Sequence, residues 1–249
     1  MNLGLSGAVA IVTGASRGLG RAIAGGLAAE GVLVVAAARS AGQLTSLADE
    51  FPGRVHPVPC DVTDIEQVTG LVPEALRVFG RLDIIVNNAG IAPAGSFATM
   101  PLQQWRHVLD VNLLAPVALT QRAGEHLRAQ RSGKVINVGS LSSLRGKPTL
   151  AAYSASKGAL LRMTEALAAE WARDGVQVNM IAPGGFATDA QQAVLDNPEV
   201  LARRLRKIPA GRMGGPDEMA ALACYLASPL SEFVTGACYT IDGGELAKL

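Results

Sequence analysis

Short runs of apolar, largely β-branched residues alternate along this chain with longer stretches of helical pattern. AVAIVT (8–13), VLVVAA (32–37), VHPVPC (55–60), LDIIVN (82–87), KVINVG (134–139), VQVNMI (176–181) and CYTID (238–242) read as strands. Most are apolar without interruption, as strands buried on both faces are, rather than alternating. Between them lie helical stretches of ten residues or more, such as RGLGRAIAGGLAAEG and LLRMTEALAAEWARDG. Strand and helix in regular succession predict an α/β fold: a doubly wound, seven-stranded parallel sheet with right-handed crossovers and helices on both faces. No linker, low-complexity segment or change of composition divides the chain, so residues 1–249 are expected to form a single domain. Two stretches break the rhythm: IAPAGSFATMPLQ (91–103) and the segment from PGGFATD to AGRMG (183–214). Both follow the carboxyl ends of predicted strands, where open α/β sheets bind ligands, so they are candidates for substrate walls and a lid.

Composition narrows the partners. Apolar residues make up 49% of the chain and charged ones 17%, enough for a sizeable core in a soluble protein, and the net charge of +1 predicts neither nucleic acid nor an anionic membrane. Gly, Arg, Asp or Glu interrupts each apolar run before it reaches membrane-spanning length. The opening MNLGLSGAVAIVTG has no basic leader before its apolar run, so no secretion signal is read there. Cys60, Cys224 and Cys238 are far apart and in no pair spacing, which suits reduced core thiols in a cytoplasmic protein. His56, His107 and His126 are equally scattered, with no Cys or His partner at ligand spacing, so no metal is expected.

Candidate chemistry begins at TGASRGLG (13–20), which joins the first strand to the first helix. Its glycines, Gly14, Gly18 and Gly20, are spaced differently from the usual dinucleotide G-x-G-x-x-G, although the physics can be the same. Gly14 would permit the tight turn, and Gly18 and Gly20 would let backbone approach a pyrophosphate at the helix N-terminus. The same residues match G-x-S-x-G, a hydrolase nucleophile elbow centred on Ser16, with His107 or His126 as a conceivable base. An elbow after the first strand, however, leaves no earlier loop to supply the second oxyanion donor. Ser154-Ala-Ser-Lys157 matches S-x-x-K, but neither S-D-N nor K-T-G accompanies it. Tyr153 and Lys157 in AAYSASKGALL lie four apart in a helical stretch, so they share a face. They could be a packed pair with a satisfied polar edge, or a phenol whose proton is made easy to move.

With TGASRGLG, NNAG (87–90), Ser140 and YSASK in that order, the chain resembles the short-chain dehydrogenase/reductases over almost its whole length, as far as VTGACYTIDGG. The resemblance implies a Rossmann-type domain, an NAD(P)-dependent oxidoreductase and a catalytic group of Asn112, Ser140, Tyr153 and Lys157. Ser140 stands thirteen residues before the tyrosine, and Asn112 lies in LDVNLLAP. It further implies that Gly14, Ser16, Arg17, Gly18, Leu19 and Gly20 hold the dinucleotide from the first turn. Asp61, in CDVTD, would cap the adenine amino group, with Val62 beside it. Asn87, Asn88, Ala89 and Gly90 would support the central strand and the adenosine ribose, while Pro183, Gly184 and Thr188 would hold the nicotinamide carboxamide. Lys157 would also hold the nicotinamide ribose, and Asn112 would position a proton-relaying water.

A hydride arriving at a ketone carbon leaves negative charge on its oxygen, which needs hydrogen bonds and a proton. Ser140 can donate one bond, and Tyr153 can supply the proton as general acid. A cation one turn away should lower the tyrosine pKa from its usual value near 10. An NAD site normally places Asp or Glu about twenty residues past the glycines. Here VVAAARSAG carries Arg39 instead, with Arg17 in the glycine turn, and no acid lies between Glu30 and Asp49. The 2′-phosphate of NADP suits two guanidinium groups, so NADPH is expected in preference to NADH, with NAD as a possible alternative. A dinucleotide-binding sensor without turnover is the rival class, but such a protein would be expected to lose Tyr153 or Lys157.

The substrate is less legible. The overall look is similar to 3-oxoacyl-carrier-protein reductases and, alternatively, to sugar-acid or polyol dehydrogenases such as gluconate 5-dehydrogenase. The carrier-protein reductases tend to have basic residues at the ends of helices bordering the active site. Arg131 fits that pattern, whereas Asp174 has the opposite charge. RRLRK (203–207) in the lid reads as a solvated helix face or an anion attractor, and Phe97 and Phe186 as pocket walls or loop packing. Helices near 103–129 and 152–173 carry more small and apolar residues than one sheet face requires. In the resembling family these helices form a dimer contact and the C-terminal strand region a second one, which implies a homotetramer.

Overall fold

The computed structural model describes residues 2–248. Its strands are β1 (Val9–Thr13), β2 (Leu33–Ala38), β3 (Val55–Pro59), β4 (Ile84–Asn87), β5 (Gly133–Val138), β6 (Val176–Pro183) and β7 (Cys238–Ile241). Each lies within two residues of the run that predicts it. All neighbouring pairs are parallel, in the order β3-β2-β1-β4-β5-β6-β7. The chain winds outward from β1 through β2 to β3, then returns to lay β4 on the other side of β1. That reversal opens a crevice at the carboxyl ends of β1 and β4.

The sheet separates two cores. Helices α1 (Gly18–Ala29) and α2 (Ala41–Glu50) cover one face, together with a later helix, Pro216–Ala227. Ile23, Leu27, Leu44, Leu47 and Met219 pack there with Ala10 and Val12 of β1. Helices α3 (Ile65–Phe79), α4 (Leu102–Leu109), α5 (Ala115–Ala129) and α6 (Ala151–Trp171) follow the next strands. Val68, Leu71, Leu119, Leu127 and Trp171 form the second core with Val9 and Ile11. A polar ladder crosses its interior. Asn87 Nδ2 donates to Thr120 Oγ1 (3.0 Å) and Asn137 Oδ1 (2.8 Å), and Asn137 Nδ2 donates to Thr164 Oγ1 (2.9 Å), tying β4 and β5 to α5 and α6.

Helices α4 and α5 are joined by a π-helical turn, Asp110–Leu114, rather than running on as one α-helix. Of the two irregular stretches, 91–103 is loop as far as 101 and then enters α4, with Phe97 exposed and edge-on to Trp105 at 5.8 Å. The second, beyond β6, folds into α7 (Gln192–Leu195) and α8 (Pro198–Leu205), and the chain then enters α9 (Pro216–Ala227). Asn197 starts α8 by accepting from Val200 N at 3.2 Å.

Candidate active site

A cleft of about 1240 Å³ follows the carboxyl edge of the sheet. At its centre is the turn between β1 and α1. Gly14 has φ +66°, and a Cβ there would sit 2.8 Å from Asn88 Nδ2. A Cβ on Gly20 would come within 2.2 Å of the Gly14 carbonyl oxygen and 2.3 Å of Asn88 Nδ2. Gly20 is therefore demanded by packing inside the protein, and not, as its position in the motif suggests, by approach to a ligand. Thr13, which the sequence reading leaves without a role, binds the two motifs together. Its hydroxyl accepts from Asn88 N (3.0 Å) and Ala89 N (3.1 Å), while Asn88 Nδ2 returns a bond to the Thr13 carbonyl at 2.9 Å.

Arg17 caps α1 with extended backbone and no side-chain hydrogen bond, so the first N–H groups of that helix are left for a ligand in the cleft. Thr188 packs over Gly18, with 3.7 Å between its Cβ and a Cβ built at Gly18, bringing the loop after β6 onto the glycine turn. Ser16, Leu19, Val62, Gly90, Pro183 and Gly184 line the same cleft. Arg17 and Arg39 are exposed at its far end, where Arg39 acts electrostatically on Asp61. Asp61 Oδ1 accepts from Thr63 N (3.0 Å) and Thr63 Oγ1 (2.8 Å), and these bonds hold the carboxyl below its usual range. An uncapped helix N-terminus, an open glycine turn and a carboxylate flanked by arginine suit a phosphorylated dinucleotide.

Ser140, Tyr153 and Lys157 converge at the other end. Ser140 follows β5, where its Oγ accepts from Ser142 N (3.1 Å) and its own N–H donates to Ser143 Oγ (3.2 Å). The side chain of Ser140 comes close enough to Tyr153 to favour its ionised form. Lys157 is only 3% exposed and donates to the Val138 carbonyl at 2.7 Å. Burial pulls its pKa down to about 8. The expected lowering of the Tyr153 pKa is reversed in this structure: burial raises it, and the nearby Ser140 hydroxyl only partly opposes that. The ammonium is turned onto the Val138 carbonyl and itself loses charge near pH 8, so it does not hold a phenolate here. A phenol that stays protonated at neutral pH is suited to giving a proton.

Asn112 does not line the cleft. It is wholly buried, donates to Ile91 O (2.9 Å) and Ser156 Oγ (3.0 Å), and accepts from Ile91 N (2.9 Å). Its side chain is therefore committed to positioning the loop after β4, with no capacity left at Nδ2 for a water. Ser156, another residue the sequence did not single out, donates to the Tyr153 carbonyl at 2.7 Å.

The segment beyond β6 splits the basic run. Arg204 forms a two-pronged ion pair with Glu245, Nη2 to Oε2 at 2.6 Å, while Arg206 and Lys207 line the cleft and Arg203 does not. Phe186 is buried against Gly214 and borders the cleft, whereas Phe97 stands outside it. Arg131 and Asp174 do not border the cleft. They precede β5 and β6, at the edge of the sheet opposite the reacting groups, where Arg131 donates to Arg173 O and Asp174 pairs with Arg128 at 2.6 Å.

The family model described as "Enoyl-(Acyl carrier protein) reductase" matches residues 14–245. Gluconate 5-dehydrogenase of Gluconobacter oxydans is 36% identical over 248 residues, covering 98% of this chain and 97% of that protein. The chain belongs to the short-chain dehydrogenase/reductase family. Another relative, 3-oxoacyl-[acyl-carrier-protein] reductase of Thermotoga maritima, is 37% identical over 96% of this chain and 98% of its own length. Among solved structures, a gluconate 5-dehydrogenase from Burkholderia cenocepacia in complex with NADP and tartrate superposes with a TM-score of 0.93, at 34% identity over 100% of this chain and 98% of that one. As a short-chain dehydrogenase/reductase the protein is an oxidoreductase, and the convergence of Ser140, Tyr153 and Lys157 on a dinucleotide-shaped cleft agrees with that membership.

Proposed function

We propose that the protein interconverts a ketone and a secondary alcohol by NADP(H)-dependent hydride transfer, with Tyr153 as acid and base. The observation that carries this is the convergence of Ser140, Tyr153 and buried Lys157 in the same cleft as the glycine turn. When bound, the dinucleotide supplies or accepts the hydride. In the reducing direction Ser140 donates a hydrogen bond to the carbonyl oxygen, and the Tyr153 hydroxyl gives that oxygen its proton. Lys157 keeps Tyr153 and the end of β5 in register through Val138, and Asn112 holds the loop after β4 that walls the site. Gly14, Gly18 and the α1 N-terminus take the pyrophosphate, and Arg17 and Arg39 take the 2′-phosphate. The Burkholderia relative with NADP supports that preference. Relatives named as 3-oxoacyl reductases and as gluconate dehydrogenases support two substrate readings, an oxoacyl thioester and a sugar acid.

The working unit in this reading is a cytoplasmic homotetramer. Its exposed Phe233, Leu230 and Leu114 support subunit contacts, and thiols that burial raises to about 11 at Cys60 and about 12 at Cys224 support a reduced state. A sensor without turnover is disfavoured because Tyr153 and Lys157 are both present. The decisive measurement is NADPH oxidation by the parent and by Tyr153→Phe across a panel of ketones. The parent should turn over, and the variant should lose at least about a hundredfold in kcat while binding NADPH nearly unchanged. Activity of the variant within tenfold of the parent removes Tyr153 from the acid role.

A further inference from the structure

The chain as a whole is nearly neutral, at +1, yet the end of the cleft beyond Tyr153 is not. Arg145, Lys147, Arg204, Arg206, Lys207 and Lys248 line it. The carboxylates among the described lining residues are Asp61, at the far end beside Arg39, and Glu245, which Arg204 already neutralises. Arg145, Lys147, Arg206 and Lys207 form no ion pair with a described residue.

These four cations stand on two segments of the cleft lining whose backbones are held firmly. Arg145 and Lys147 lie in the loop between Ser140 and Tyr153. Arg145 N donates to Leu141 O (3.0 Å), and Lys147 N to Ser154 Oγ (3.3 Å), in the first turn of the helix that carries Tyr153. The guanidinium of Arg145 has one long contact, to Leu246 O at 3.5 Å. Arg206 and Lys207 follow α8, pinned between the Arg204–Glu245 pair and buried Ile208. The side chains themselves are exposed.

Concentrating like charges in one mouth costs electrostatic energy and raises the local concentration of anions there. The dinucleotide does not account for the charge, since its phosphates have their own partners in the α1 N-terminus, Arg17 and Arg39. We infer that Arg145, Lys147, Arg206 and Lys207 form a carboxylate subsite, so that the substrate is a small hydroxy or keto acid held by its carboxylate while its carbinol or carbonyl carbon faces Tyr153. A carrier protein is disfavoured, since Arg128 and Arg131 on the opposite edge are already engaged. The inference rests on the proposed carbonyl chemistry for what faces Tyr153, but the subsite can be tested without turnover.

D-gluconate and D-glucitol differ only in a carboxylate against a hydroxymethyl group, and tartrate and threitol differ in the same way at both ends. Calorimetric titration of each into the full-length protein saturated with NADP⁺ should show at least one acid binding about tenfold or more tighter than its polyol, the advantage shrinking with added salt. The double variant Arg145→Met, Lys207→Met should bring that ratio below about three while leaving NADP⁺ affinity within about twofold. The subsite is overturned if acid and polyol bind alike or not at all, if the ratio survives the substitutions, or if the substitutions weaken NADP⁺ instead. Reduction of neutral acetoacetyl-N-acetylcysteamine with a higher kcat/KM than 5-ketogluconate overturns it in favour of an acyl thioester. If the acid preference holds but 5-ketogluconate, L-sorbose and the thioester all fail to oxidise NADPH, it is the oxidoreductase reading that falls.

Discussion

Lys134 and Lys157 are both shut away from water, and burial holds both ammonium groups at about 8 instead of 10.5. Lys157 has a carbonyl partner at 2.7 Å and a place one helical turn from Tyr153. Lys134 has only the Ser231 hydroxyl, at 3.2 Å. Below pH 8 the folded and unfolded chains both carry the Lys134 charge, and folding bears the full cost of burying it. Between pH 8 and 10.5 the folded chain has shed its proton and the unfolded chain has not, so stability from this group rises with pH through that window. Lys134→Met should therefore melt above the parent at pH 7, with the difference narrowing as pH passes 8; a lower Tm at pH 7 would contradict the argument. Arg39 supports a second expectation. Arg39→Asp should cut the kcat/KM preference for NADPH over NADH about thirtyfold or more, by losing a charge-assisted bond and adding a repulsive carboxylate. Equal use of both cofactors by the parent would refute it. Tyr153, Lys157, Ser140 and Arg39 were legible because their chemistry depends on residue type at a fixed spacing. Thr13 was not, since a hydroxyl at a strand end is ordinary until two backbone N–H groups are brought to it. Nor was the Arg204–Glu245 pair, whose members lie 41 residues apart and meet only when the lid folds.

Elements were read well where their pattern is long and poorly where one residue shifts the phase. The π-turn at Asp110–Leu114 left no trace in VLDVNLLAP, because apolar residues surround Asn112 on every side of the helical wheel. Within that turn Asn112 points inward to Ile91 rather than lining the cleft. The β1–α1 turn is the opposite case. Its glycines announced a tight turn, but only the structure separates the roles of Gly14 and Gly20. A methyl group on Gly20 would meet the Gly14 carbonyl and the Asn88 amide, neither of which can move without opening the β1–β4 crevice. Gly20→Ala should lower Tm by about 3–10 °C, the usual cost of overpacking in a chain of this size, and weaken NADPH binding at the same time. Thermal melts with and without NADPH would check both, and an unchanged Tm would mean that the turn relaxes freely.

At the scale of the whole molecule, seven continuous apolar strands in alternation with helices made the sheet legible, and the remaining uncertainty fell on strand ends, which hydrogen-bond partners set. Quaternary structure is a separate matter. Phe233 is fully exposed and Leu230 and Leu114 are about half exposed, more apolar surface than those loops need if they face water. Light scattering at micromolar concentration should give a mass near four chains, and a monomer there would count decisively against the tetramer. The sheet also bears on how such a protein can change over generations. Val9 and Ile11 serve one core while Ala10 and Val12 serve the other, so a codon inserted within β1 would exchange the two sets and spoil both layers at once. A codon inserted between α7 and α8, helices with no buried described residue, touches neither. Heritable novelty is thereby funnelled to the carboxyl edge, where a lengthened lid can meet a new molecule while the winding beneath it stays the same.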